Sequence, residues 1–194
     1  KINFDLLHDI FGESFVPITY GGGIDNLEDA KKLINMGAEK LCFQNTFFND
    51  KKLIKEMINY FGSQAIVVSI DIKKNLFGNY RIWDYINNNF RKKTEFIKTI
   101  KSAQDLGVGE IILTDVSREG TFKGIDQNLV KKTFSLLKIP IIYNGGTKSM
   151  NDINKIFKSG AQALAVGSFF VFYGKHKAVL ISYPSDEIKD LLNE

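Results

Sequence analysis

The segment PITYGGGIDNLEDAKKLINMGAEKLCFQNTFF (17–48) returns later in the chain as PIIYNGGTKSMNDINKIFKSGAQALAVGSFF (140–170). An offset of 123 residues aligns the two copies without a gap for more than thirty residues. Two unrelated strand-to-turn junctions would not hold register through a helix and into the next strand. The match therefore indicates an internal βαβ duplication. The shared positions are Pro17/Pro140, Tyr20/Tyr143, Gly22/Gly145, Gly23/Gly146, Asp29/Asp152, Gly37/Gly160, Ala38/Ala161, Leu41/Leu164 and Phe47/Phe170.

Each copy carries a Gly-Gly pair after its first strand and a polar pair after its second strand. Glycine lets backbone N–H groups approach a ligand closely, where a Cβ would obstruct it. Hydroxyls and backbone amides at a helix start can bind phosphate oxygens. Tight turns alone would also explain one Gly-Gly pair, but two copies in register favour a ligand with a phosphate at each end. The pairs are Gly22-Gly23 with Asn45-Thr46, and Gly145-Gly146 with Gly167-Ser168.

Around this repeat, short apolar runs alternate with segments of helical period. Strict alternation predicts an α/β fold of parallel strands joined by right-handed crossovers. Six such units fit an open doubly wound sheet or most of a (β/α)8 TIM barrel, which normally takes about 250 residues. We expect one TIM-barrel domain over 1–194 with duplicated half-barrels, and the first two strands absent from this chain. The strand candidates are FVPITY, KLCF, AIVVSID, EIILTD, IPIIYN and ALAVGS.

Two further segments carry structural predictions. NLFGNYRIWDYINNNFRKK is too long for a simple turn, so it predicts an elaborated loop or small hairpin above the barrel, where functional loops often lie. The tail SDEIKDLLNE (185–194) predicts a closing short helix.

The composition excludes several classes of protein. The 194 residues are 44% hydrophobic and 25% charged, without an apolar run of membrane-span length or a visible signal peptide. A single cysteine excludes an internal disulfide and fits a reducing cytoplasm. The net charge of +4 is densest in KKNLFGNYR and FRKKTEF, which lack the aromatic interleaving of a nucleic-acid surface. A solvated basic face is the first interpretation of these patches, and attraction to anionic small molecules is the second.

Rim carboxylates supply the candidate chemistry. Asp71 ends the strand AIVVSID, where it fits a general acid–base role, although it could also cap the loop or pair with Lys73 or Lys74. The next strand ends in TDVSREGT (114–121), in which Thr114 and Gly120 are candidates for ligand contact. The only histidines, His8 and His176, lie far apart in sequence and make a metal site or a Ser-His-Asp triad improbable. We expect neither a metal nor a cofactor.

Several motifs in order resemble the cyclase subunit of imidazole glycerol phosphate synthase, the HisF family. They are GSQAIVVSIDIKK, GVGEIILTDVSREGTFKGID, the YGGGI…FQNT half-site and the NGG…VGSFF half-site. The resemblance implies a cyclase in a barrel of two duplicated halves. It implies that ammonia, released from glutamine by a separate glutaminase subunit in a heterodimer, is added to a bisphosphate ribulosyl substrate. The products would be imidazole glycerol phosphate and an aminoimidazole carboxamide nucleotide.

The resemblance also implies roles for individual residues. Asp71 matches the general acid. Lys40 and Glu110 match two members of a charged ring at the barrel bottom through which ammonia enters, and Glu39 matches an acidic position facing the glutaminase. One phosphate site matches Gly23, Asn45 and Thr46; the other matches Thr114, Gly120, Gly146, Gly167 and Ser168.

Some positions depart from the family pattern. The usual D-R-D-G-T is S-R-E-G-T here, starting at Ser117, so one rim aspartate is lost, and Asn144 stands where the family often has Ser. SFFVFYGKHKAVLISYP resembles a paralogous branch that accompanies sugar amidotransferases in surface-polysaccharide clusters. An ammonia-delivery component for glycosyl amidation is therefore the alternative function, with a sugar amidotransferase as a further partner. The sister phosphoribosyl isomerase is a weaker alternative.

Overall fold

The computed structural model describes residues 1–174, 176–183 and 186. The chain divides into two compact units, Lys1–Ile70 with Ile97–Ile112, and Asp71–Phe96 with Leu113–Glu194. The prediction of a single domain over 1–194 stays a prediction. Within the described part, no helix has both the length and the apolar character to cross a membrane. The predicted closing helix over 185–194 lies outside the described residues except for Asp186.

The first unit begins with a helix and continues in βα alternation. The elements are α1 (Phe4–Glu13), β1 (Thr19–Gly21), α2 (Leu27–Asn35), β2 (Lys40–Phe43), α3 (Asn45–Asn49), α4 (Lys51–Phe61), a 3₁₀ turn (Ser63–Ala65), the start of β3 (Ile66–Lys74), most of α5 (Phe96–Leu106) and the start of β6 (Glu110–Asp115). Thr19 pairs with Lys40 in a parallel ladder between β1 and β2, and Leu41 pairs with Ile66 in a parallel ladder between β2 and β3. The strand order is β1-β2-β3-β6.

The second unit continues β3 and β6 and adds a hairpin. The added elements are β4 (Tyr80–Asp84), β5 (Asn89–Phe90), α6 (Gln127–Thr133), β7 (Ile141–Asn144), α7 (Met150–Lys158), β8 (Ala163–Ala165), α8 (Ser168–Val171), β9 (Phe172–Tyr173) and β10 (Ala178–Val179). Ile72 on β3 pairs antiparallel with Ile82 on β4, and β4 pairs antiparallel with β5. Of the elaborated loop or small hairpin expected after the third strand, the hairpin is present. The strand order continues as β3-β6-β7-β8, with a parallel β7–β8 ladder.

All six predicted strands are present, as β1, β2, β3, β6, β7 and β8. Each unit has its own apolar core. Leu41, Phe43 and Ile54 are almost fully buried in the first unit, and Ile72 and Ile82 are in the second. Removing such side chains from water provides the main driving force for folding.

The two copies of the repeat fold alike, element for element. The helices α2 and α7 occupy corresponding positions at the 123-residue offset. Each begins at a capping side chain that accepts a hydrogen bond from a backbone N–H: Asn26 Oδ1 from Asp29 N at 2.8 Å, and Ser149 Oγ from Asp152 N at 3.2 Å. Such caps satisfy an orphan donor at the helix start. The duplication read from the sequence is therefore confirmed as a structural repeat.

Candidate functional site

The first predicted phosphate site is a cavity in the first unit with a volume of about 490 Å³. That volume lies within the range of about 300–1,000 Å³ typical of small-molecule sites. The cavity brings together all four residues that the sequence assigned to this site. Its lining is Gly21, Gly22, Gly23, Ile24, Asp25, Cys42, Phe43, Gln44, Asn45, Thr46 and Ser69.

The backbone of this cavity explains the glycines. Gly22 and Gly23 adopt φ angles of 113° and 72°, a region that residues with a Cβ rarely occupy. Thr46 Oγ1 donates a hydrogen bond to the Ile24 carbonyl at 3.1 Å, which ties the start of α3 to the Gly-Gly turn. Asp25 adds a carboxylate to a lining that contains no Lys or Arg. An anion in this cavity would therefore depend on backbone N–H groups and hydroxyls.

The second predicted phosphate site is a shallow depression in the second unit with an enclosed volume of about 10 Å³. That is room for about one water molecule, so a larger ligand would sit at its mouth. It brings together five of the six residues that the sequence assigned here. The sixth, Thr114, accepts a hydrogen bond from Asn144 Nδ2 at 3.3 Å. The lining is Glu119, Gly120, Phe122, Asn144, Gly145, Gly146, Thr147, Ala165, Gly167, Ser168 and Phe169.

Close backbone packing surrounds the second Gly-Gly pair. Gly145 and Gly146 have φ angles of 114° and 92°. A Cβ on Gly145 would lie 2.8 Å from the Asp115 carbonyl oxygen, and one on Gly146 would lie 2.6 Å from the Gly124 carbonyl oxygen. Gly124 N donates to the Gly146 carbonyl at 2.6 Å, which closes the loop that follows β6 against this turn. The glycines here permit both the turn and the approach of a neighbouring loop.

The duplicated glycines give a matched test of these two effects. Gly22 and Gly145 have nearly the same φ, but a Cβ on Gly22 meets no atom within 4 Å. We expect Gly22→Ala to cost about 1–3 kcal/mol of unfolding free energy from backbone strain alone. Gly145→Ala should cost clearly more because the Asp115 backbone must also move. Urea unfolding of both variants checks this, and equal losses would contradict the close packing at Gly145.

The loop after β6 is held by a carboxylate. Asp115 Oδ1 accepts hydrogen bonds from Ser117 N at 3.0 Å and Ser117 Oγ at 2.6 Å, and Asp115 Oδ2 lies 3.5 Å from Arg118 Nε. Arg118 Nη1 donates to the Gly124 carbonyl at 2.8 Å. The carboxylate absent at position 117 is thus present at 115, where it is buried and braces the loop that carries Gly120.

Asp71, the candidate general acid, is half-buried on β3. Because successive residues of a strand point to opposite faces, Asp71 shares a face with Lys73, and Lys74 lies on the other face. Lys74 Nζ lies 2.6 Å from Asp126 Oδ2, and Lys73 Nζ lies over the Trp83 ring. Lys74 therefore forms its ion pair with Asp126, not with Asp71 as one of the two pairings considered from the sequence would have it. The roles of Asp71 and of the phosphate-site residues stay predictions.

Thr147 is a candidate that the sequence analysis missed. It follows the second Gly-Gly pair, lines the second depression, and is 7% exposed. Its Oγ1 has no hydrogen-bond partner among the described residues. A buried hydroxyl without a partner is costly, so it is suited to bind a ligand oxygen. The signal was available in NGGT, where a hydroxyl replaces the Ile24 of the first copy.

Lys40 and Glu110, predicted at the starts of their strands, are the first residues of β2 and β6. Their side chains meet as an ion pair in the first unit, with each about a quarter exposed or less. Glu39 is exposed, and its backbone N donates to the Ile18 carbonyl at 2.9 Å. The structure thus joins Lys40 and Glu110, the two residues implied for the ammonia entrance.

Residues 1–177 match a protein family described as "Histidine biosynthesis protein". A protein of Pseudomonas aeruginosa, provisionally named imidazole glycerol phosphate synthase subunit hisF2, is 39% identical over 183 residues, which cover 94% of this chain and 72% of that protein. The imidazole glycerol phosphate synthase subunit HisF of Clostridium beijerinckii is 35% identical over 182 residues, or 93% and 68% of the two chains. The subunit HisF of Dictyoglomus turgidum is 32% identical over 192 residues, or 98% and 72%.

Proposed function

Because this chain belongs to the histidine biosynthesis protein family, we propose that it is a cyclase of the imidazole glycerol phosphate synthase type. The family match and the relatives named HisF confirm the resemblance read from the motifs. They also confirm the predicted fold class, an α/β fold of the (β/α)8 barrel type. The proposed reaction adds ammonia to a bisphosphate ribulosyl aminoimidazole substrate and yields imidazole glycerol phosphate and an aminoimidazole carboxamide nucleotide.

The observation that carries this proposal is the pair of glycine-lined sites at matching positions of the repeat. Each combines a Gly-Gly turn in the left-handed region with polar groups at the start of the short helix after the next strand. Backbone N–H groups that converge on a concave surface bind phosphate oxygens. Two such sites in register support a substrate that carries a phosphate at each end.

Asp71 supplies the proposed acid–base chemistry. Its carboxyl group lies on β3, which continues directly into the hairpin, so the strand backbone fixes its position. A rigidly placed carboxyl can hold a proton and transfer it to a group that develops charge in the transition state. We assign this proton transfer to Asp71 in the addition of ammonia.

The ammonia source in the proposal is a glutaminase subunit, in a heterodimer located in the cytoplasm. The names of the relatives describe subunits of a synthase, which supports a partner chain. The ion pair between Lys40 and Glu110 would lie where ammonia enters, and the exposed Glu39 would face the glutaminase.

Lys40→Ala is expected to lower glutamine-dependent turnover several-fold and to leave ammonium-dependent turnover nearly unchanged. Removing the ammonium group leaves the Glu110 carboxylate without its partner at the proposed entrance. Steady-state rates with glutamine plus glutaminase, against rates with ammonium salts, measure the difference. Lys31→Ala is the matched control, since Lys31 is about as exposed as Lys40 but pairs with the exposed Glu28 within α2. Equal losses with both nitrogen sources would contradict the entrance role.

An assay with ammonium at high pH and the bisphosphate ribulosyl substrate tests the function itself. Formation of imidazole glycerol phosphate above the level of an Asp71→Asn control is the expected result. No turnover above that control would overturn the cyclase proposal and favour the role in ammonia delivery for glycosyl amidation. Isomerisation of the aminoaldose precursor without ammonia would favour the sister isomerase.

A further inference from the structure

The hairpin after β3 sorts its basic residues by face. On one face, Lys74 pairs with Asp126 at 2.6 Å, and at the edge of the hairpin Arg91 Nη2 lies 3.3 Å from Asp84 Oδ2. Both carboxylates are buried, so these two cations are compensated within the fold. The sequence predicted that the basic residues of KKNLFGNYR form a solvated face, but Lys74 is paired with a buried carboxylate instead.

The other face of the hairpin carries two cations, Lys73 and Arg81, that lie against aromatic rings instead of carboxylates. Lys73 on β3 is directly opposite Arg81 on β4 in the antiparallel register. Lys73 Nζ lies 4.3 Å from the centre of the Trp83 ring, and the Arg81 guanidinium lies 5.3 Å from the centre of the Phe90 ring. The two rings meet edge to face at 5.2 Å. All four side chains are half-buried, so they form a defined surface, the hairpin platform.

Like charges directly opposite each other destabilise a sheet. Among the described residues, no carboxylate lies within ion-pair distance of Lys73 or Arg81; the hydrogen bond from Arg81 Nη2 goes to the Arg91 carbonyl at 3.4 Å. The aromatic faces stabilise each cation but bring no negative charge into contact with it. An arrangement that holds two cations together with no carboxylate in ion-pair contact is suited to an anion.

We propose that the hairpin platform, made of Lys73, Arg81, Trp83 and Phe90, is a third anion subsite that binds a phosphoryl group. A phosphate monoester carries up to two negative charges, which match the two cations. Arg offers a planar fork of donors and Lys a compact charge, a combination that suits phosphate oxygens.

The subsite is distinct from both glycine-lined sites, because neither lining contains a residue of the platform. It shares a strand face with Asp71, two residues before Lys73. An anion bound there would therefore lie beside the candidate general acid, while the two phosphates of the proposed substrate occupy the glycine-lined sites. The inference goes beyond the proposed cyclase function and does not require it.

Trp83 is the only tryptophan of the chain, so its fluorescence reports directly on the platform. The experiment titrates the protein with inorganic phosphate in one arm and with ribose 5-phosphate in another, at constant ionic strength, with ribose and chloride as blanks. A saturable change in Trp83 emission is expected in at least one phosphate arm and in neither blank. The arm with the tighter binding identifies whether free phosphate or a sugar phosphate is the ligand.

Variants localise the response. Lys73→Gln and Arg81→Gln should each raise the dissociation constant about tenfold or more, because each removes a charged donor. Lys73→Arg should retain most of the affinity. Lys55→Gln is the matched control, since Lys55 is exposed on α4. Circular dichroism verifies that each variant is folded. No saturable response, or an unchanged dissociation constant in both Gln variants, would overturn the proposal.

Discussion

Replacement of Asp71 by Asn is expected to lower ammonia-dependent turnover by about two to four orders of magnitude, the contribution typical of general acid–base catalysis. The amide keeps the shape of the side chain but cannot give up or take up a proton near neutral pH as a carboxyl group can. Asp71 lies on a paired strand, so the backbone around it should not change. Rates at saturating ammonium separate the effect on kcat from the effect on substrate binding.

Two further variants make this result specific. Asp71→Glu should restore part of the activity, because a carboxyl group returns at a displaced position. Asp105→Asn makes the same chemical change at an exposed position of α5 and should leave turnover unchanged. Retention of wild-type kcat by Asp71→Asn would remove Asp71 from the mechanism, whatever the activity of the protein.

The repeat made much of the fold predictable. Its 123-residue register placed two strand–turn–helix units, and both Gly-Gly pairs have the left-handed φ angles that only glycine adopts readily. Patterns of this kind depend on residues close in sequence, so they can be recognised without a structure. The length of the segment after β3 predicted an elaborated loop or a small hairpin, and the hairpin is present. Its pairing was not predicted, because register depends on which side chains meet across the strands.

Side-chain and backbone contacts in the loops of the second unit were not predictable. Ser117 was interpreted as the loss of a rim aspartate, yet Asp115 braces the same loop from two residues earlier. Both residues were visible in the sequence, but only the turn geometry shows that their side chains meet. The two glycine-lined sites also differ in volume, which is about 490 Å³ in the first and about 10 Å³ in the second. In the second site Gly124 N also donates a hydrogen bond to the Gly146 carbonyl at 2.6 Å, a contact that no local sequence pattern reports.

Asp126 was likewise absent from the sequence-based candidates, although it joins three elements of the second unit. It accepts hydrogen bonds from Asn128 N at 3.0 Å as the cap of α6 and from Tyr80 Oη at 2.9 Å, and it pairs with Lys74. Burial would raise the pKa of Asp126, but the hydrogen bonds from Lys74 and Tyr80 outweigh it and hold the pKa below its usual range. Burial and the bond to Asp126 raise the pKa of Tyr80, so Tyr80 stays a donor.

Asp126→Ala is therefore expected to cost about 3 kcal/mol of unfolding free energy. This is the lower end of the cost of breaking a buried ion pair, because Lys74 is 37% exposed and its ammonium group can still reach water. Asp50→Ala is the matched control. Asp50 is also a helix cap, accepting from Leu53 N at 3.0 Å, but it is exposed and has no such network. Its loss should cost about 1 kcal/mol. Urea unfolding at pH 7 measures both values.

The pH dependence separates the network from simple packing loss. A carboxyl with a lowered pKa in the folded state contributes stability above its unfolded pKa, about 3.9 for Asp. That contribution is lost as the pH falls from there through the folded value. The stability difference between wild type and Asp126→Ala should therefore stay constant from about pH 5 to 8 and shrink below about pH 4. Equal losses for Asp126→Ala and Asp50→Ala, or a difference independent of pH in acid, would mean that Asp126 acts only as a cap. A difference that shrinks in acid would instead show that the charged Asp126 carboxylate holds the hairpin to the start of α6. Its partner Lys74 lies on β3, the strand that also carries Asp71.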